Sequence, residues 1–258
     1  NISKIFLDKK NANTQIKVLS KIFKDFFSIN TRMPMIIFDK IKIKNLNFKH
    51  SAREAAYTGF SFMGKDHLFL LDENEDLKIN ELKEFIKKFK NTKIFLFGLT
   101  SVIWKLLNKL DNIEFDLVNS ILIHGGGWKK INDQNATKKN FKYLIKSKFN
   151  LTNIHDYYGM VEQTGSIFVE CNCGKFISSI FSDIIIRDEK LKKVKKGNKG
   201  LIQLLSVLPT SYPGHSILTE DIGEILDEDG CIKCKLHGKS FIVHGRAEQS
   251  EVRGCSDV

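Results

Sequence analysis

Short apolar runs alternate with stretches of helical periodicity through the first two-thirds of this 258-residue chain, and then the alternation stops. Residues 2–7, 35–38, 68–71, 93–97, 121–123 and 153–157 read as strands. Between them, residues 12–27 place Ile16, Leu19, Ile22, Phe23, Phe26 and Phe27 at helical spacing, and residues 79–89 set Leu82, Phe85, Ile86 and Phe89 on one face. Residues 52–59 and 140–149 also read as helices, and Thr100 stands where a cap would open one carrying Val102, Ile103, Leu106 and Leu107. Strands alternating with helices predict a largely parallel α/β layer. After Ile167 the texture changes to short strands separated by turns, at 180–187, 200–208, 223–226 and 241–243. The expected organisation is an α/β part over 1–166, a β-rich subdomain over 167–244 and a tail over 245–258.

An apolar content of 42% is enough for a packed core. No apolar run approaches the roughly 20 residues that span a membrane. Lys4, Asp8, Lys9 and Lys10 interrupt the apolar residues at the start, so a signal peptide is not expected and a cytoplasmic location is. The net charge is +11, from 41 basic and 30 acidic residues. Its lysines are spread out, as at Lys83, Lys87, Lys88 and Lys90, which suits the solvated face of a helix. There is neither an RNA-binding aromatic motif nor a helix-turn-helix pattern, so nucleic acid is not an expected partner. The excess either reflects a lysine-, asparagine- and isoleucine-rich composition or serves an anionic partner such as an acidic carrier protein.

Four stretches carry chemistry. Residues 155–165, His-Asp-Tyr-Tyr-Gly-Met-Val-Glu-Gln-Thr-Gly, follow a strand and combine a flat ring at Tyr158, a close-approach position at Gly159 and a hard carboxylate at Glu162. Residues 121–130 run from an apolar strand through His124 into Gly125, Gly126 and Gly127, then Trp128, Lys129 and Lys130, the form of a buried strand ending at a ligand edge. The glycine triplet matches neither standard phosphate-loop spacing. Residues 212–223 contain a Tyr-Pro-Gly-His turn and Thr219, Asp221 and Gly223; Gly245-Arg246 follows near the end. Taken singly, each also reads as an ordinary turn, and Asp221 and Arg246 as a turn residue and a surface ion-pair partner.

The order of these stretches resembles the adenylate-forming superfamily of acyl-CoA synthetases and firefly-type luciferases. Within it, the chain is most similar to the acyl-protein synthetase (LuxE-like) family of bacterial bioluminescence, through residues 124–130, 158–163, 211–216, 218–223 and 253–257. The likeness runs from about Ser3 onward. It implies an adenylate-forming α/β fold with mixed sheets flanked by helices and a β-rich C-terminal portion. It also implies ATP-dependent activation of a carboxylic acid of the fatty class, followed by transfer to a protein thiol, the work of a long-chain-fatty-acid–protein ligase. By that pattern Gly125, Gly126 and Gly127 line the adenine and acyl pocket, with His124 inside the motif and His67 beside the acyl chain. Tyr158 and Gly159 meet the adenine, and Glu162 holds Mg2+ against the phosphates. Asp221 accepts from the ribose hydroxyls, and Arg246 contacts the ribose at a hinge-like end of the main domain. Partners implied are ATP, the acid, and an acyl carrier, acyltransferase or reductase protein.

The chain departs from the superfamily pattern. Val161 stands where a threonine hydroxyl usually touches a phosphate, a contact that Thr164 could replace. The phosphate loop is expected just upstream of residue 1, and the mobile C-terminal domain with its catalytic lysine is expected to be missing, with Lys129 and Lys130 the nearest substitutes. Cys255, in the tail Arg-Gly-Cys-Ser-Asp, corresponds to the thiol that takes the acyl group in the bioluminescence enzymes. Coenzyme A as acceptor, as in phenylacetate-type ligases, or a non-catalytic binding module on the same fold are the alternatives. Separately, Cys171-x-Cys173 and Cys231-x-x-Cys234 are two close pairs from distant parts of the chain, read either as a structural Zn2+ site, with His237 a substitute ligand, or as thiols without metal.

Overall fold

The computed structural model describes residues 5–41, 52–110, 114–128, 133–163 and 165–247. It divides into two compact units, one of residues 31–156 and one that joins the N-terminal residues up to Asn30 to the chain from Tyr157 onward. The chain enters through helix α1 (Lys9–Phe27), whose first turn is closed by Asp8: its Oδ1 accepts the Asn11 N–H at 2.6 Å. Residues 5–7 are not the expected strand. The Phe6 carbonyl accepts the Ser211 hydroxyl at 2.8 Å, so this segment is held by a loop instead of a sheet.

The unit of residues 31–156 is a strand–helix alternation. It comprises β1 (Met33–Lys40), α2 (Ala52–Ser61), β2 (Gly64–Leu71), α3 (Ile79–Lys88), β3 (Phe95–Leu99), α4 (Thr100–Leu107), β4 (Ile121–Gly125), α5 (Lys138–Phe149) and the start of β5 (Ile154–Gly159). The strands lie in the order β2-β1-β3-β4-β5, and every pairing among them is parallel. Seven of the eight residues of β1, and all of β3 and β4, are buried. That is why these strands are near-continuous apolar runs: helices cover both faces of a parallel sheet, and no face is left for polar side chains. Phe38, Leu96 and Leu122 from the strands pack with Ile103 and Leu107 of α4 and Phe141 of α5 in one core.

Thr100 is not the cap of α4. Leu99 occupies the cap position, and no side chain closes the helix there. The Thr100 hydroxyl is fully buried and donates to the Gly125 carbonyl at 3.0 Å, and its oxygen lies 2.9 Å from His124 Nδ1. With its one proton given to Gly125, Thr100 accepts from Nδ1–H, which fixes the tautomer of His124. Register makes this possible, because Gly98 pairs with His124 and Leu99 with Gly125 across β3 and β4. Burial first, then the charges of Lys142 and Lys138, hold the His124 imidazole well below its ordinary 6.5 and keep it neutral.

The second unit carries the chain from Tyr157 onward, through the end of β5 and then β6 (Ile167–Glu170), β7 (Phe176–Ile177), β8 (Ser182–Arg187), β9 (Lys199–Ser206), β10 (Ser216–Asp227) and β11 (Ser240–Arg246). Their order is β5-β6-β7-β11-β10-β9-β8, antiparallel throughout. Here burial alternates: in β8 Ser182, Ile184 and Ile186 are buried and Asp183, Ile185 and Arg187 are half-exposed. An antiparallel sheet with one wetter face gives that pattern. Phe168, Phe176, Ile184, Ile202, Ile225 and Phe241 fill its core. The fold class, an α/β layer followed by a β-rich portion, is thus as expected, while the compact units divide at Tyr157 and the second takes in residues up to Asn30, unlike the expected 1–166 and 167–244. Among the described residues no helix is long and apolar enough to cross a membrane.

Two outcomes follow from these contacts. Asp8→Ala removes the closure of α1 and lowers stability by about 1 kcal/mol in urea unfolding. For His124 the folded state resists protonation while the unfolded chain binds a proton near 6.5, so its contribution to stability is whole above that value and is lost as pH falls below it. His124→Gln, compared with the parent at about pH 7.5 and about pH 5.5, loses less stability on acidification.

Candidate functional site

Three of the residues picked out in the sequence meet in the second unit. Tyr158 lies on β5 opposite Phe168, and its hydroxyl donates to Asp221 Oδ2 at 2.8 Å. Asp221 and Arg246 are register partners on β10 and β11, with Arg246 Nε 3.9 Å from Asp221 Oδ1. Arg246 Nη1 also reaches Glu220 Oε2 at 3.3 Å. The Asp221 N–H donates to Thr219 Oγ1 at 3.1 Å, and the Thr219 hydroxyl in turn donates to the Ile202 carbonyl at 2.9 Å. The carboxylate is thus held from two sides, and its backbone is held by Thr219. Burial, then the Asp221 charge, push the Tyr158 phenol far above its ordinary 10, so it remains a donor at any physiological pH. Phe168, Phe176 and Phe241 stand around the Tyr158 ring with centroids 6.1 to 6.3 Å away. The result is a rigid aromatic plate ending in a carboxylate and a guanidinium, suited to a flat base and vicinal hydroxyls.

Directly after β5 the chain makes a single 3-10 turn, Val161–Gln163. Glu162 is half-buried on it, and among the described residues its carboxylate takes no ion pair or hydrogen bond. Both oxygens remain for a hard cation, so the donor chemistry fits Mg2+. Val161 is 45% exposed and brings no hydroxyl to the turn. Gln163 was not picked out from the sequence as a site residue, yet it anchors the turn. It is buried, and its Nε2 donates to the carbonyls of Gly214 at 2.7 Å and Leu204 at 3.3 Å. Its signal was its place directly after the glutamate, but the partners are backbone carbonyls that no side-chain pattern announces. Gly214 belongs to the same lock: a Cβ there would stand 2.4 Å from the Tyr212 ring and 2.9 Å from the Glu162 carbonyl. Gly159 closes β5 opposite Ile167 and is exposed.

In the unit of residues 31–156, β4 delivers Gly125 to the end of the sheet, and Gly126 and Gly127 follow in the left-handed region at φ 89° and 68°. A side chain would strain both, which explains the last two glycines of the triplet. His124 Nε2 is buried, and among the described residues it has no hydrogen-bond partner; it stands one residue before the triplet. Trp128 packs edge-on against Phe141 and His124 and belongs to the core. His67 is exposed on β2, with Nε2 2.8 Å from the Ser61 carbonyl. Lys129, Lys130, Thr164 and Cys255 lie outside the described residues.

The four cysteines of the two close pairs converge. Cys171 and Cys173 occupy the turn between β6 and β7, and Cys231 and Cys234 the connection between β10 and β11. All four sulfurs lie within 4.8 Å of one another, and Cys173 Sγ and Cys234 Sγ are 3.6 Å apart.

Comparison with known proteins bears on the family and the fold. The family model for the acyl-protein synthetase LuxE matches residues 2–258. The long-chain-fatty-acid–luciferin-component ligase of Aliivibrio fischeri is 28% identical over 159 residues, 58% of this chain and 42% of that protein. Its Vibrio harveyi counterpart is 25% identical over 138 residues, 52% of this chain and 35% of that protein. The matches thus span less than half the length of these relatives. A structure of 2-hydroxyisobutyryl-CoA ligase, in complex with its acyl-AMP and CoA, aligns with a TM-score of 0.67 at 12% identity, over 96% of this chain and 56% of that one. ATP-bound MatB from Rhodopseudomonas palustris aligns with a TM-score of 0.57 at 13% identity, over 90% of this chain and 44% of that one. These structures share the fold of adenylate-forming enzymes. From the match along its length and the order of its motifs, the chain belongs to the LuxE acyl-protein synthetase family.

Proposed function

We propose that this chain performs the ATP-dependent activation of a carboxylic acid of the fatty class and passes the acyl group to a protein thiol. The observation that carries this reading is the convergence of Tyr158, Asp221 and Arg246. A carboxylate oxygen of the acid attacks the α-phosphorus of ATP, the bond to the β-phosphate oxygen breaks, and pyrophosphate leaves. The thiol sulfur then attacks the acyl carbon, AMP departs with the bonding pair, and the thiol proton passes to solvent. Both steps need alignment and charge stabilisation more than a reactive side chain.

The chain's own residues fit that work. The Tyr158 ring supports the adenine, held at its hydroxyl by Asp221. Asp221 accepts from the ribose hydroxyls through its oxygen facing Arg246, and the guanidinium keeps that carboxylate ionised and oriented. Gly125, Gly126 and Gly127 offer a backbone edge that a planar base or acyl chain can approach, and the buried Nε2 of His124 is an acceptor beside it. Glu162 would hold Mg2+, which supplies charge neutralisation to the phosphates when bound. The fatty character of the acid follows the names of the relatives from Aliivibrio fischeri and Vibrio harveyi. Cys255 is the proposed acceptor.

ATP–pyrophosphate exchange across a panel of short- to long-chain acids tests the first step. Exchange with none of them, by a protein that circular dichroism finds folded, would sink the adenylation reading and leave a binding module. Asp221→Ala loses hydrogen bonds to a charged acceptor, about 1.5–3 kcal/mol, and lowers kcat/KM for ATP about 10- to 150-fold. Tyr158→Phe keeps the ring and costs less. Cys255→Ser leaves exchange intact and abolishes acid-stable labelling of the protein by radioactive fatty acid; discharge of the adenylate by coenzyme A in the unsubstituted protein would favour a CoA ligase instead.

A further inference from the structure

The catalytic reading leaves one cluster unused. Four cysteines, drawn from two turns about 60 positions apart in sequence, bring their sulfurs within 4.8 Å of one another. A tetrahedron with Zn–S arms of about 2.3 Å has edges of about 3.8 Å. The longest separation in the cluster is within about 1 Å of that edge, and its Cys173–Cys234 separation of 3.6 Å lies near such an edge and far from the roughly 2.05 Å of a disulfide. We propose that Cys171, Cys173, Cys231 and Cys234 bind one structural Zn2+ ion.

The surroundings are those of a thiolate centre. The backbone N–H groups of Cys173 and Lys175 face the Cys171 sulfur, and that of Cys234 faces the Cys231 sulfur. Such N–H groups orient and stabilise ligating thiolates. As four zinc–sulfur bonds form, the four thiols release their protons to solvent, and the centre carries two negative charges. Lys175, Lys233 and Lys235 sit in the same two turns and offset that charge. Cys171 and Cys231 are buried together with Ile177, and Phe26 and Leu236 pack against them, so one side of the centre is dry. Four soft sulfurs with no carboxylate or open position select zinc in a closed, non-catalytic site.

The placement explains what the ion does. β7 is two residues long, yet it is the link between β6 and β11 in the sheet order. Two residues of ladder hold a strand poorly. The ion would tie the turn entering β7 to the turn entering β11, and so fix the β10–β11 hairpin that presents Asp221 and Arg246.

Metal analysis of the protein purified without chelator tests this, and its readout needs no turnover, so its failure would leave the adenylation reading untouched. One zinc per chain is expected, released stoichiometrically by a mercurial thiol reagent. Cys173 is exposed, so Cys173→Ser keeps the fold at moderate temperature while losing most of its zinc and part of its thermal stability. Cobalt(II) added to the demetallated protein produces the intense visible bands of tetrahedral thiolate. A folded protein that holds no zinc and takes up neither zinc nor cobalt overturns the assignment, as does iron in place of zinc or full zinc retention in Cys173→Ser.

Discussion

Strands β3 and β4 are buried along their whole length, so any polar group placed on them must find its partner inside the protein. That constraint orders the unit of residues 31–156. It turns Thr100 away from the helix it begins and toward Gly125 and His124. It fixes one tautomer of a histidine that burial keeps neutral. The strand then ends at Gly125, and Gly126 and Gly127 turn the backbone through the left-handed region. Core packing and chemistry meet in one residue there: Thr100 satisfies one His124 nitrogen, and among the described residues the other has no partner beside the triplet.

The antiparallel unit solves the same problem with networks. Asp221 is held by a phenol, a guanidinium and its own backbone contact to Thr219. Each partner comes from a different strand, so the carboxylate reports the register of β5, β10 and β11 at once. Gln163 plays the corresponding part for the turn of Glu162, through two carbonyls. Rigid elements therefore carry the aromatic plate and the carboxylate, and a locked turn carries the glutamate, an arrangement suited to a reaction limited by alignment.

Much of this was legible in the sequence, for physical reasons. Apolar runs such as 95–97 and 121–123 reveal double-sided burial, and the β-rich half shows itself by short strands between turns. Tyr158, Asp221 and Arg246 could be singled out by motif, but their mutual hydrogen bonding depends on strand register, which spacing alone does not encode. Thr100 misleads for the same reason: it has the chemistry of a cap, and tertiary burial outbids the local role. Residues 5–7 look like a strand because Ile5, Phe6 and Leu7 are apolar, yet Ser211 takes the Phe6 carbonyl and the segment runs into α1 without pairing with a described strand. The cysteine pairs announce a cluster by spacing; only the two residues of β7 show how the pairs meet.

Helix α1 belongs to a unit whose strands all come from the chain at Tyr157 and beyond. Its ties to that unit reach across sequence separations of 203 residues from Asp8 to Ser211, 205 from Phe6 to Ser211 and 197 from Gln15 to Tyr212. Such contacts raise the contact order of the unit and slow its folding, because a long loop must close before any of them forms. At about 5–20 residues per second, the ribosome needs on the order of ten seconds or more to supply the partners of a helix already emerged. During that interval the apolar face of α1, with Leu19, Ile22 and Phe23, has no native surface to cover it. The unit of residues 31–156 can fold meanwhile, since all its strands are then in hand. Assembly is thus out of step with synthesis, and the apolar face of α1 stays uncovered until the strands that follow Tyr157 are made.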